Sequence, residues 1–229
     1  MKGMMLLLVT IFVLFSCSQN EDKLEDFPLL KSRSFMWADR VESSDSSVFI
    51  LMNRVYLDPV GKYLMDNIFN EGKKVVFMYD SSLASNKMKM TEVGLEIRIR
   101  YNFTYFEKNI RAYQVLLFHE LFHSVQKSIP ALNAEIEAYM AQLHYAMRLG
   151  YSDAIAGGSP QLWSALKNLH DWLYGNNSSR DVKEFERLYF TVMMRLAECD
   201  PDYTDLRYER QCWNFDRLDK IENEVFKKK

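Results

Sequence analysis

Phe118-His119-Glu120-Leu121-Phe122-His123-Ser124-Val125-Gln126 is the stretch from which the rest of the chain is read. Its core is HExxH. On a helix, side chains at i and i+4 stand on one face, so His119 and His123 can both reach one zinc ion at ~2.0–2.1 Å. Glu120 follows the first histidine. There it can take a proton from metal-bound water, whose pKa the ion lowers to ~7. The setting predicts a helix. Ile110, Tyr113, Val115, Leu116, Leu117, Leu121 and Val125 make a mostly apolar cylinder, with no Gly or Pro between Glu107 and Ile129. The chain has only 4 His, and two of them flank Glu120 at ligand spacing. Buried alone on an apolar helix, His, Glu and His would be costly; a metal removes that cost.

Catalytic zinc needs a third protein ligand. The pattern HExxHxxGxxH would supply a third histidine, but Gln126 and Ile129 stand at those positions. A carboxylate from the next helix is the other route. Ser128-Ile129-Pro130-Ala131-Leu132 breaks the first helix, and Asn133 is the expected N-cap of a second over Ala134 to Leu149. This second helix carries Glu135 and Glu137. Its apolar stripe is Ile136, Tyr139, Met140, Leu143, Ala146 and Met147, and Glu135 borders that stripe on the Tyr139 side. The facing argument selects Glu135; depth into the helix selects Glu137. Gln126 shares the face of His119 and His123 and is placed to hydrogen-bond behind them.

HExxH followed by a short turn and a helix reading Glu-x-x-Ala resembles the gluzincin group of zinc metallopeptidases. The resemblance spans roughly residues 110–147. It implies zinc as cofactor, Glu120 as general base, and His119, His123 and Glu135 (with Ala138 as the small residue) as metal ligands. The implied activity is hydrolysis of peptide bonds in a peptide or protein substrate. Two other readings stay open: a non-catalytic lipoprotein that keeps zinc for structure and binds a partner, and a zinc amidase acting on cell-wall peptides.

The N-terminus has a different task. Lys2 precedes an apolar run from Met4 to Phe15, shorter than the ~20 residues a spanning helix needs. Leu14-Phe15-Ser16-Cys17 resembles a bacterial lipoprotein cleavage box. That implies removal of residues 1–16, lipid on Cys17 and attachment to a bilayer at the cell envelope. Ser18 fits outer-membrane sorting, and Glu21 and Asp22 resemble surface-export signals. Residues 17–30 read as a polar tether.

The remaining residues, 31–229, suffice for one domain, with 48% hydrophobic residues in the chain as a whole. A net charge of -2 offers no nucleic-acid surface. The expected class is α+β: a small N-terminal mixed sheet with helices, the zinc-binding helix pair, and a helical C-terminal half from about residue 129. Ser47–Met52 and Lys74–Tyr79 are strand candidates, with a helix from Asp58-Pro59 to Gly72 between them. Leu95–Tyr101 alternates apolar and polar, as a half-exposed strand at the sheet edge would. In gluzincins such an edge holds extended substrate by backbone pairing. Pro160 and Ser179 start later helices that build core. Cys199 and Cys212 are either a disulfide or two buried thiols. His144 and His170 read as satisfied histidines. His170 or Tyr174 is nonetheless a candidate donor to a developing oxyanion.

Overall fold

The computed structural model describes residues 37–127, 129–151, 159–175, 181–199, 203 and 216–226. The Cys17 cleavage box, the tether, the Ser179 cap and Cys212 lie outside the described residues.

The first long element is α1 (Ser46–Leu57), so the strand expected at Ser47–Met52 is instead a helix. Asp45 caps it, accepting from the Ser47 N–H at 2.9 Å. Val48, Ile50, Leu51, Met52 and Val55 are all buried, on more than one side of the helix. A short apolar run reads alike as a buried strand or a buried helix; here the cap and burial all round select the helix. α2 (Pro59–Asn70) follows at once, with Asp58 accepting from the Val60 and Gly61 N–H groups. The two helices meet so closely that a Cβ on Gly61 would stand 2.1 Å from the Val55 carbonyl oxygen.

The sheet has four strands in the order β1-β2-β4-β3. β1 (Val41–Glu42), β2 (Lys74–Tyr79) and β4 (Glu96–Asn102) run parallel, and β3 (Lys87–Val93) pairs antiparallel to β4. β4, expected at an edge, therefore lies inside the sheet. Its alternation has another cause: Ile97, Ile99 and Tyr101 face the core, while Arg98 and Arg100 lie on a half-exposed face. The edge belongs to β3, Lys-Met-Lys-Met-Thr-Glu-Val, whose thin apolar content carries little strand signal.

α3 (Phe106–Phe122) is the central helix, lying against α1, α2, α4 and β3. Tyr113, Val115, Leu117, Phe118, Leu121 and Phe122 are fully buried on it, and Phe118 stacks on Tyr145 at 4.0 Å. A 3-10 turn, His123–Val125, leads out of it. α4 (Ala131–Arg148) begins directly after Pro130, three residues earlier than expected. Asn133 is thus inside the first turn rather than capping it. Its amide is buried and donates to the Tyr189 hydroxyl at 3.0 Å. Met147, assigned to the inward stripe, is 40% exposed. α5 (Pro160–Tyr174), capped by Ser159, and α6 (Val182–Cys199) complete a helical layer on α4. α7 (Asp216–Phe226) lies on α2, where the Tyr63 hydroxyl donates to Glu224 at 2.7 Å. The protein is α+β. No described helix is long and apolar enough to cross a membrane.

Candidate metal centre

His119 occupies the last turn of α3, and His123 is the residue where that helix gives way to the 3-10 turn. The chain then reverses through Pro130 and brings the first turn of α4 alongside. Three side chains converge. His119 Nε2 and His123 Nε2 are 3.2 Å apart, and the two Glu135 carboxylate oxygens stand 3.5 Å and 3.6 Å from them. Ligand atoms around a tetrahedral ion at 2.0–2.1 Å stand roughly 3.3–3.4 Å from one another. The cluster could hold a metal ion, and among the described residues it is the only group of three His, Cys, Asp or Glu that could. His119 is buried while His123 and Glu135 remain partly open, so solvent has access from one side. Glu137, the other candidate carboxylate, is not at the cluster; it is buried behind it.

The far nitrogens of the two histidines stand in different settings. His123 Nδ1 lies 2.7 Å from Gln126 Oε1, whereas His119 Nδ1 is buried with no hydrogen-bond partner among the described residues, and the Gln142 side chain near that ring favours its protonated form. With Nδ1–H donating to Gln126 Oε1, His123 presents its Nε2 lone pair toward His119 Nε2. Two lone pairs facing at 3.2 Å repel unless a cation or a proton lies between them. Gln142 was not singled out from the sequence, though a signal existed: Glu135, Tyr139 and Gln142 fall at i, i+4 and i+7 on one helix face. Tyr139 itself meets the His119 ring edge-on, with centroids 4.6 Å apart.

Electrostatics report the same demand for positive charge. Burial works to lower His119, but its hydrogen bond to Glu135 and the charges of Glu120 and Glu135 outweigh it and hold the ring above the ordinary value. Burial, and then the charge on His119, push His123 down to about 4. Burial also works to raise Glu135, yet its hydrogen bond from His119 and the nearby histidine charges keep it below the usual carboxylate range. The extra proton is therefore favoured on His119 over His123. A cation bound between the rings would take its place and favour both rings in their neutral form.

Glu120 lies beside this cluster, 5% exposed, with Oε2 accepting the Met90 N–H of edge strand β3 at 2.8 Å. Burial, opposed by the charge on His119, raises its carboxyl to about 7. On the other side, the Tyr203 hydroxyl donates to Glu135 at 3.3 Å and is hydrogen-bonded to that of Tyr139. Burial pushes both phenols well above the ordinary tyrosine value, so both remain donors. Tyr203 follows α6 in Asp202-Tyr203-Thr204, a context with no periodicity or motif to mark it in the sequence.

The expected alternative donors are elsewhere. His170 and Tyr174 form their own cluster with His144: His144 Nδ1 to His170 Nε2 is 3.0 Å, and the Tyr174 hydroxyl donates to Asp219 at 2.9 Å. Cys199 is a free thiol, 3.4 Å from the Ser159 hydroxyl. No protein-family model, no curated protein and no solved structure matches this chain.

Proposed function

We propose that this protein is a zinc-dependent hydrolase of peptide bonds, held at a bilayer by lipid on Cys17. The observation that carries the reading is the convergence of His119, His123 and Glu135 beside a buried Glu120 and β3, an outer strand of the sheet among the described residues. Three protein ligands is the number typical of catalytic zinc, which keeps a further position open for water or substrate. Two imidazoles and a carboxylate suit Zn²⁺. Zinc, when bound, lowers the pKa of its water toward ~7 and polarises the scissile carbonyl.

The chain's own groups have matching roles. Glu120 receives the proton of the attacking water and passes it to the leaving amine; a carboxyl poised near 7 is suited to both transfers. The Met90 N–H fixes its orientation. Tyr203 stays protonated next to Glu135 and is the donor best placed to meet the carbonyl oxygen as it gains charge. β3, rather than β4, supplies the edge along which an extended substrate would add as a strand.

Zinc analysis of soluble protein from Ser18 onward, joined to a peptide-library cleavage assay, tests this reading. About one zinc per chain with cleavage is the expected result. Zinc without cleavage of any peptide would leave a structural centre, and no zinc would remove the reading altogether. The anchor is tested separately: Cys17→Ala should release the protein from membranes or block its processing. Unchanged detergent-requiring fractionation would overturn the lipoprotein assignment.

A further inference from the structure

His123 offers Nε2 to the cluster and Nδ1 to Gln126. A neutral imidazole binds a metal through the nitrogen that carries no proton, so its proton must reside on the other nitrogen. Whether it does depends on which atom of Gln126 faces the ring, since an amide can present either its oxygen or its nitrogen. Here the amide has no choice. Its Nε2 donates to the Ala134 carbonyl at 2.9 Å and to Glu137 Oε2 at 2.8 Å, two groups that only accept. Oε1 is left for His123 Nδ1, at 2.7 Å.

The chain of bonds continues one residue further. Glu137 is 1% exposed, and Arg217 Nε of α7 donates to the same Oε2 at 2.7 Å. A guanidinium only donates and an ionised carboxylate only accepts. Glu137 is therefore the common acceptor: Arg217 and Gln126 both donate to it, and the Gln126 oxygen, turned the other way, accepts from His123.

We infer that Arg217 is a positioning residue for the metal: through Glu137 and Gln126 it fixes the Nδ1–H tautomer of His123 and so aims the Nε2 lone pair at the ion. The inference rests on the metal-centre reading above and extends it to a helix about 80 residues downstream of Glu137. It makes docking of α7 and metal binding thermodynamically linked, each favouring the other by the same factor. α7 has other ties that do not touch the site: Glu224 to Tyr63 at 2.7 Å, Asp219 to Tyr174 at 2.9 Å, and buried Ile221. These hold the helix in place when Arg217 is altered.

The plainer role for Arg217 is a buried ion pair that serves the fold alone. Four variants of the otherwise intact mature protein separate the two: Arg217→Met, Arg217→Lys, Gln126→Met, and the double Arg217→Met/Gln126→Met. Arg217→Met keeps the stem that fills space. Gln126→Met cuts the relay while leaving the Arg217–Glu137 pair intact. Zinc affinity is measured by chelator competition, and the His123 tautomer by ¹⁵N NMR of the zinc-free protein. Wild type should show His123 as the Nδ1–H form. Arg217→Met and Gln126→Met should each weaken zinc tenfold to a hundredfold, the range for groups behind a ligand, and shift the His123 nitrogens toward the other tautomer. Arg217→Lys should recover most of the affinity, and the double variant should lose little more than either single one.

Zinc affinity within twofold of wild type and an unchanged tautomer in Arg217→Met, whatever its melting temperature, would reduce the pair to a fold contact. Unchanged affinity in Gln126→Met would overturn the relay even if Arg217→Met does not fold. A wild-type protein that binds no zinc would refute the metal centre instead, and the tautomer comparison would still decide the relay.

Discussion

All four histidines of the chain stand in two pairs of nearly equal separation: 3.2 Å between His119 and His123, 3.0 Å between His144 and His170. Separation alone does not tell them apart; their surroundings do. In the first pair the far nitrogen of His123 meets the side-chain amide of Gln126, which turns its near nitrogen into an acceptor, and Glu135 adds a carboxylate within 3.6 Å of both rings. In the second pair Nδ1 faces Nε2, so one ring donates to the other in an ordinary hydrogen bond. The Asp171 carboxylate lies 3.7 Å from His170 Nδ1, on the far side of that ring. A histidine pair becomes a metal site through what holds its far nitrogens and what third group joins it.

The comparison breaks first on metal content. His119→Ala or His123→Ala should abolish zinc binding, and Glu135→Ala should weaken it at least tenfold. His144→Ala and His170→Ala should leave about one zinc per chain. Elemental analysis after dialysis reads this directly; loss of zinc on mutation of the second pair would mean the wrong pair has been assigned.

Catalysis gives the next largest effect. Glu120→Gln should retain zinc and fold but lose peptide hydrolysis by roughly 10²–10⁴-fold, because the proton acceptor goes while the ligands stay. Activity near wild type would move the general base to another group.

The two pairs also mark what sequence reading can reach. HExxH is visible because its geometry is local: a helix alone sets His119, Glu120 and His123 in place. Glu135 is nearly so, since a short turn and helical facing suffice to aim it. Tyr203 comes to the site from beyond α6, Arg217 from α7 and Met90 from edge strand β3, so only tertiary packing brings them there. The same limit governs the fold. β2 and α2 carry their own boundary signals, in Asp58-Pro59 and Gly72. Ser47–Met52 does not, and whether it forms a strand or a helix depends on being buried all round. The alternation of β4 reported a half-exposed face correctly but could not say which strand lay beyond it.

Metal-free protein sharpens the contrast through pH. Burial raises the Glu120 carboxyl from 4.5 to about 7, so the folded state binds its proton more tightly than the unfolded chain does. That stability is fully present below pH 4.5 and lost as pH rises through about 7. For a carboxyl moved this far it amounts to roughly 3 kcal/mol. Zinc-free Glu120→Gln lacks the term. Its stability relative to wild type, from urea denaturation, should therefore rise by about that amount between pH 4 and pH 8. A difference that stays flat with pH would show that Glu120 titrates as an ordinary exposed glutamate.

The smallest effect is the most specific to the comparison, because His119 and His170 should hold protons in opposite ways. His119 is raised because Glu135 and Glu120 outweigh its burial, whereas His170 is lowered by burial and then by His144, with Asp171 opposing too weakly. The signs follow. His119, with its folded value raised, lends stability that is complete below the unfolded value of about 6.5 and fades as pH rises through the folded one. His170, with its folded value depressed, lends stability that is complete above about 6.5 and fades as pH falls through the folded one. Four imidazole signals in a proton NMR titration of zinc-free protein resolve the two cases, with His119→Gln and His170→Gln assigning the resonances. The His119 signal should titrate at higher pH than the His170 signal. Zinc should remove the His119 titration and leave that of His170 in place, because the ion takes the lone pair to which the first proton was bound. A reversed order would mean that the carboxylates around His119 do not outweigh its burial, and with that the electrostatic case for a cation between His119 and His123 would fall.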